Sequence, residues 1–307
     1  MVVSSGRTFN RVALLMGGPS AEREVSLSSG RECAAGLRDA GYDVIEVDAG
    51  PDLVSVLSDI RPDAVFNALH GRWGEDGCVQ GILEWLRLPY THSGVLASAL
   101  AMDKTRAKDA FAAAGLPLAH SLRASPAEIV AGHVMTPPYV AKPNREGSSV
   151  GIYIVHKDAN GPPQLAQATP QDMIVEAYVP GRELTVSVLG DRATAVTEIL
   201  TDGWYDYDAK YKAGGSRHVV PADIPDVIRD ECLAMALTAH NALGCRGATR
   251  TDFRWDDRKG RDGLVVLELN TQPGMTPTSL TPEHAQAVGL GFSELCAWMV
   301  EDASCDR

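Results

Sequence analysis

Asp252, Glu268 and Asn270 are the residues whose types and spacing point most directly to chemistry. They lie in two runs, Ala248 to Trp255 and Leu264 to Asn270, that read as strands. The connector Asp256 to Gly263 is charged and contains glycine, as a hairpin turn does. Side chains alternate along a strand, so Arg250, Asp252 and Arg254 share one face while Thr251, Phe253 and Trp255 share the other. On the partner strand Glu268 and Asn270 share a face, and Leu267 and Leu269 point away. If the two acidic faces coincide, carboxylates and an amide oxygen meet beside Arg250 and need a counter-charge. A hard divalent cation such as Mg2+ supplies it, with phosphate oxygens completing the octahedral shell. The same residues also describe a hairpin whose solvated carboxylates pair with Arg250 and Arg254.

A second pattern is Lys142-Pro143-Asn144-Arg145-Glu146-Gly147-Ser148-Ser149-Val150-Gly151. A strand delivers a lysine into a loop of glycines and hydroxyls, whose backbone N–H groups can wrap a phosphate. An ordinary hairpin loop fits these residues as well, and the G-x-x-x-x-G-K-[ST] phosphate loop is absent. A third pattern, Gly17-Gly18-Pro19-Ser20-Ala21-Glu22-Arg23-Glu24-Val25-Ser26, sits at a strand-to-helix junction. It lacks G-x-G-x-x-G, and Pro19 breaks the spacing a dinucleotide site needs. Glu22 either recognises an ammonium group or complements the helix dipole in the first turn.

The elements that must position these residues start with a β-α-β pattern. Arg11 to Met16, Val44 to Val47 and Ala64 to Asn67 read as strands of a parallel sheet. A helix through Leu27, Cys33 and Leu37 stops at Gly41, and another through Ile82 and Leu86, capped by Asp76, ends before Pro89. Ligands of such sheets bind beyond the strands' carboxyl ends, where Gly17-Gly18 and Asn67 to Gly71 lie. After a helix from about Lys104 to Ala114, strands follow in quick succession: Tyr139 to Lys142, Val150 to Val155, Met173 to Tyr178 and Leu184 to Leu189. This region is α+β, with Asp158 to Pro170 as a surface excursion. A helix through Ile228, Met235 and Leu243 precedes the hairpin, and a terminal helix closes the chain.

Composition narrows the classes. The 307 residues are 45% hydrophobic, enough for two or three cores, and no apolar run approaches the roughly 20 residues of a membrane span. The start lacks a signal-peptide core. A net charge of −12 argues against a nucleic-acid interface while allowing a local basic pocket. Cys33, Cys78, Cys232, Cys245, Cys296 and Cys305 form no C-x-x-C pair and read as reduced thiols of a cytoplasmic protein.

Taken together the motifs resemble those of the D-alanine–D-alanine ligases, a family of the ATP-grasp superfamily. The matching segments are Gly17 to Leu27; His70-Gly71-Arg72 with Gly74-Glu75-Asp76-Gly77; Ser93-Gly94-Val95 through Met102-Asp103-Lys104; Lys142 to Gly151; Tyr205 to Tyr211; and Glu268 through Thr276 with Ser279-Leu280. They occur in family order and span nearly the whole chain. The resemblance implies a Rossmann-like first domain over residues 1–103 and a two-part ATP-grasp unit over 104–184 and 185–307, with a lid at about 206–219. It implies ATP-dependent joining of two D-alanines through an acyl phosphate, for peptidoglycan precursor synthesis. Two Mg2+ ions, with Mn2+ as a substitute, would sit on Asp252, Glu268 and Asn270.

By the same match, Lys104, Lys142 and Lys210 would hold phosphates, Glu176 and Val179 would meet the adenine edge, and Glu183 the ribose. Glu22 would bind the first ammonium, linked to Ser148 and Tyr211. Arg250 and the N–H of Gly274 would hold the oxyanion, and Ser279 and Leu280 would seat the second substrate. His70 is either a group near the substrates or a structural loop histidine. A homodimer is also implied, with neither nucleic acid nor membrane as partner. In this family a tyrosine at position 211 accompanies dipeptide synthesis, whereas D-lactate ester formers carry another residue. Trp73 departs from the family, which usually has a small residue or proline there. The competing readings are ligation to D-lactate or D-serine, and a non-catalytic sensor on the same fold.

Overall fold

The computed structural model describes residues 7–147, 151–166, 169, 172–201, 215–276 and 278–305. Three sheets organise them. In the first, β1 (Arg11–Met16) lies between β2 (Asp43–Asp48) and β3 (Ala64–Asn67), all parallel. Val12, Ala13, Leu14 and Leu15 are all fully buried, because a central parallel strand is covered on both faces. Val12 and Leu14 pack with Cys33 and Leu37 of α1 (Arg23–Asp39). Ala13 and Leu15 pack on the opposite face with Leu57 of α2 (Leu53–Ile60) and Leu83 of α3 (Cys78–Leu86). The residue that caps α3 is Gly77, not Asp76. Asp76 braces the turn one residue earlier, accepting from the N–H groups of Trp73 at 3.0 Å and Cys78 at 3.1 Å.

Two helices, α4 (Val95–Met102) and α5 (Lys104–Ala113), lead into the second sheet. Asp103 caps α5 by accepting from Arg106 N at 3.2 Å, which fixes where Lys104 leaves the backbone. The second sheet comprises β4 (Ser121–Ala124), β5 (Tyr139–Pro143), β6 (Tyr153–Val155) and β7 (Met173–Ala177), in the antiparallel order β4-β7-β5-β6. A short helix α6 (Pro126–Ala131) follows β4.

The third sheet holds β8 (Arg182–Leu189), β9 (Arg192–Leu200), β10 (Arg217–Val219), β11 (Ala248–Trp255) and β12 (Leu264–Asn270), in the antiparallel order β10-β9-β8-β11-β12. Helix α7 (Asp226–Ala242) covers it through Ile228, Cys232 and Met235. The connector joins β11 and β12 as an antiparallel hairpin and is itself a 3-10 segment, Asp257–Gly263. Two helices, α8 (Leu280–Ala287) and α9 (Phe292–Glu301), finish the chain. Leu295, Cys296 and Met299 of α9 return to the first sheet and pack in the same cluster as Cys33 and Leu37.

The β11–β12 register carries a correction to simple alternation. Asp252 pairs with Glu268, but the next residue, Phe253, pairs with Val266, so Leu267 is an extra residue in a bulge. Without it, Leu264, Val266, Glu268 and Asn270 would share one face. The bulge turns the strand, so Leu264, Val266 and Leu269 enter the core while Glu268 and Asn270 face the opposite side.

Candidate active site

A cleft gathers residues from all three sheets. His70 comes from the loop after β3, Met102 and Lys104 from the α4–α5 junction, and Glu146 and Gly147 from the loop after β5. Arg250, Glu268 and Asn270 come from the bulged hairpin, and Gly274, Ser279 and Leu280 from the segment leading into α8. Eight residues singled out from the sequence therefore meet in one place. Glu22 joins them from the start of α1: a methyl group on Gly147 would lie 2.8 Å from Glu22 Oε1. Gly274 is confined similarly, since a side chain there would reach 2.9 Å from Ser279 Oγ.

Of the two readings of the hairpin, the pairing of a carboxylate with Arg250 is present. Asp252 and Glu268 are register partners, as a shared cation site requires. Asp252 also accepts from Arg250 Nε and Nη2, each at 2.8 Å, and from Thr185 Oγ1 at 2.7 Å. Arg254 pairs with Glu183 at 3.3 Å. Lys104 Nζ lies 3.8 Å from Glu268 Oε2 and donates to Glu146 O at 2.7 Å. Asn270 Oδ1 accepts from Gln272 N at 2.7 Å. A carboxylate pair and an amide oxygen on adjacent strands form a hard-oxygen donor set that fits Mg2+. Arginine and lysine now offset its negative charge.

Lys142, Glu176, Val179 and Glu183 do not line this cleft. Lys142 on β5 pairs at 2.5 Å with Glu176 on β7, and Lys108 on α5 holds the other carboxylate oxygen at 2.6 Å. Burial would raise the Glu176 carboxyl, but Lys142 and Lys108 override it and bring it down to about 2. Val179 and Glu183 gather around Arg254, which donates to Val179 O at 3.1 Å. Ser148, Lys210, Tyr211 and most of the 206–219 segment lie outside the described residues.

His70 is buried, and its Nε2 shares a 3.1 Å hydrogen bond with Ser29 Oγ. Burial, with a smaller effect of Arg250, lowers its pKa to about 4, so the ring is neutral near pH 7. Trp73 has φ 74, lies outside the cleft lining and stacks its ring against the Arg72 guanidinium at 4.7 Å.

Three further residues matter that the sequence patterns left without a role. Glu75 lines the cleft, Lys108 secures Glu176, and Asn144 ties the phosphate-type loop to α5. Asn144 donates to Asp103 Oδ1 at 2.9 Å and accepts from Thr105 N at 3.0 Å. Glu75 lies in Gly74-Glu75-Asp76-Gly77, and Lys108 follows Lys104 by one helical turn, but neither spacing names a partner.

Burial, and after it the neighbouring Glu22 carboxylate, raise the Glu75 carboxyl to about 8. The folded protein thus holds a proton that the unfolded chain releases, and stability from this group falls as pH rises from the ordinary carboxyl range to about 8. Thermal unfolding across that window should show the decline, and Glu75→Gln should flatten it. Parallel curves for the two proteins would contradict the assignment.

The D-ala D-ala ligase C-terminus family model matches residues 119–301, and the D-ala D-ala ligase N-terminus model matches residues 54–93. A D-alanine–D-alanine ligase of Cereibacter sphaeroides is 72% identical over 307 residues, covering 100% of both chains. One from a Ruegeria species is 70% identical over 98% of both. Among solved structures, the Bacillus anthracis D-alanine–D-alanine ligase complexed with ATP superposes with a TM-score of 0.79 at 29% identity, over 96% of this chain and 97% of that one. On its sequence and its fold alike, the chain belongs to the D-alanine–D-alanine ligase family.

Proposed function

We propose that this chain joins two D-alanines at the expense of ATP, releasing ADP and phosphate, and so supplies a peptidoglycan precursor. The observation that carries the reading is the register pairing of Asp252 with Glu268, which lines one cleft together with Asn270, Arg250 and Lys104. A carboxylate is a poor acyl donor until its oxygen becomes a good leaving group. Attack of the first D-alanine's carboxylate on the γ-phosphate provides one, and the second D-alanine's amine then attacks the acyl phosphate. Bound on Asp252, Glu268 and Asn270, Mg2+ would neutralise charge on the transferring phosphoryl group.

The chain's own residues do the rest. Lys104, Lys142 and Lys210 hold phosphate oxygens, Glu176 and Val179 meet the adenine, and Glu183 meets the ribose. Glu22, with Ser148 and Tyr211, fixes the first ammonium. The Glu22–Glu75 pair gives that cation a negative surround, and Glu75 releases its proton as the cation arrives. Arg250 and Gly274 N–H stabilise the tetrahedral oxyanion. Ser279 and Leu280 seat the second substrate, with neutral His70 beside it. Segment 206–219 closes over ATP and keeps water from the acyl phosphate.

Residues 1–103, 104–184 and 185–307 form three working units, the last boundary falling within β8 (Arg182–Leu189). The protein acts in the cytoplasm, where ATP is made available. Phosphate release with D-alanine, compared with L-alanine, D-serine and D-lactate, tests the substrate: D-alanine should support it best, and a preference for D-lactate would overturn the role given to Tyr211.

The protein works as a homodimer. Trp85 on α3 is 87% exposed and Leu96 on α4 is 70% exposed, large apolar side chains that a lone subunit leaves in water. Sedimentation should give a dimer for the unaltered chain and a monomer for Trp85→Glu with Leu96→Glu. An unchanged mass in the double variant would exclude this surface.

A further inference from the structure

Glu176 carries two cations where one would neutralise it. Lys108 and Lys142 reach it from different elements, α5 and β5, and approach different oxygens, Oε1 at 2.6 Å and Oε2 at 2.5 Å. Both Lys108 and Glu176 are only 4% exposed. Lys108 Nζ is surrounded by no hydrogen-bonding alternative among the described residues. Lys142 differs: it also lies in the field of Glu268 and Asp252, on the side of the proposed phosphates. The trio thus has one cation bound to a single partner and one cation with somewhere else to go.

We propose that Lys108 is the resident counter-ion of Glu176, and that it releases Lys142 to bind nucleotide phosphate. This rests on the ligase reading above, and it gives a task to a residue that touches neither substrate. When ATP draws Lys142 to its phosphates, Oε2 is vacated and becomes an acceptor for the adenine amino group, while Lys108 stays on Oε1. Without Lys108, Lys142 could leave only by stranding a buried carboxylate, which is costly unless the group takes up a proton. A protonated carboxyl would also present a donor where the adenine needs an acceptor. Lys108 is therefore a positioning residue: it acts on the nucleotide through Glu176 and Lys142.

The test uses the full-length protein with ATP, Mg2+ and D-alanine. Lys108→Met should raise the KM for ATP by roughly tenfold or more, the size of one lost charge-assisted interaction. The KM for D-alanine should stay within about twofold, since the affected residues do not line the substrate cleft. Adding Glu176→Gln should recover most of the lost ATP affinity, because a neutral amide needs no counter-ion and no longer detains Lys142. ADP binding by calorimetry should follow the same order. A Lys108→Met effect that falls on both substrates alike, or one that Glu176→Gln fails to relieve, would overturn the inference. Failure of the unaltered protein to make dipeptide would instead strike the ligase reading itself.

Discussion

Glu268→Ala should nearly abolish dipeptide synthesis while leaving the fold in place. Glu268 is half-buried, sits on the polar side of the β12 bulge and pairs in register with Asp252. Its loss removes one of two carboxylates from the proposed cation site. Losing several kcal/mol of transition-state stabilisation corresponds to a fall in kcat on the order of 10³-fold. Unfolding should shift little, because Lys104, a charged partner of Glu268, is also held by Glu146 O. Steady-state phosphate release at graded Mg2+ measures this. Near-normal kcat at ordinary Mg2+ would remove Glu268 from the metal site.

Arg250→Ala should act on both chemistry and stability. Arg250 lines the cleft and bonds Asp252 through two nitrogens. Removing a donor to the oxyanion costs about 10²- to 10³-fold in kcat. Removal also leaves Asp252, 8% exposed, with Thr185 as its side-chain partner. Breaking such a pair costs up to about 3 kcal/mol here, at the low end for buried pairs because both side chains retain some solvent contact. Arg250→Lys should recover stability better than rate, since an ammonium replaces the charge but not the two-pronged geometry. Chemical denaturation alongside kcat separates the effects. A variant that loses stability yet keeps its rate would confine Arg250 to holding Asp252.

The hairpin was legible from sequence because alternation is local: Arg250, Asp252 and Arg254 do share a face. The bulge at Leu267 was not, because register depends on both strands at once and neither strand's own pattern displays it. The parallel first sheet announced itself through β1, whose run from Val12 to Leu15 is apolar throughout. Strand β9 did not, since Arg-Ala-Thr-Ala-Val-Thr alternates small and hydroxylated residues that carry little hydrophobic contrast. Strands β4 and β10 are short, and each carries arginine, so they gave no apolar run. Lys108 shows the same limit in the site. Helical spacing puts it near Lys104, but only the tertiary fold brings its ammonium to Glu176 on β7. Asp76 was expected to cap α3, and the backbone instead turns at Gly77, where φ is 95.

Ligation through an acyl phosphate transfers a carboxylate oxygen to phosphate on the way to the peptide bond. D-Alanine labelled with 18O in its carboxylate, incubated with the protein, ATP and Mg2+, tests it directly by mass spectrometry of both products. The expected products are D-alanyl-D-alanine and phosphate carrying one 18O atom per turnover. Unlabelled phosphate, or ATP consumed with no dipeptide formed, would contradict it.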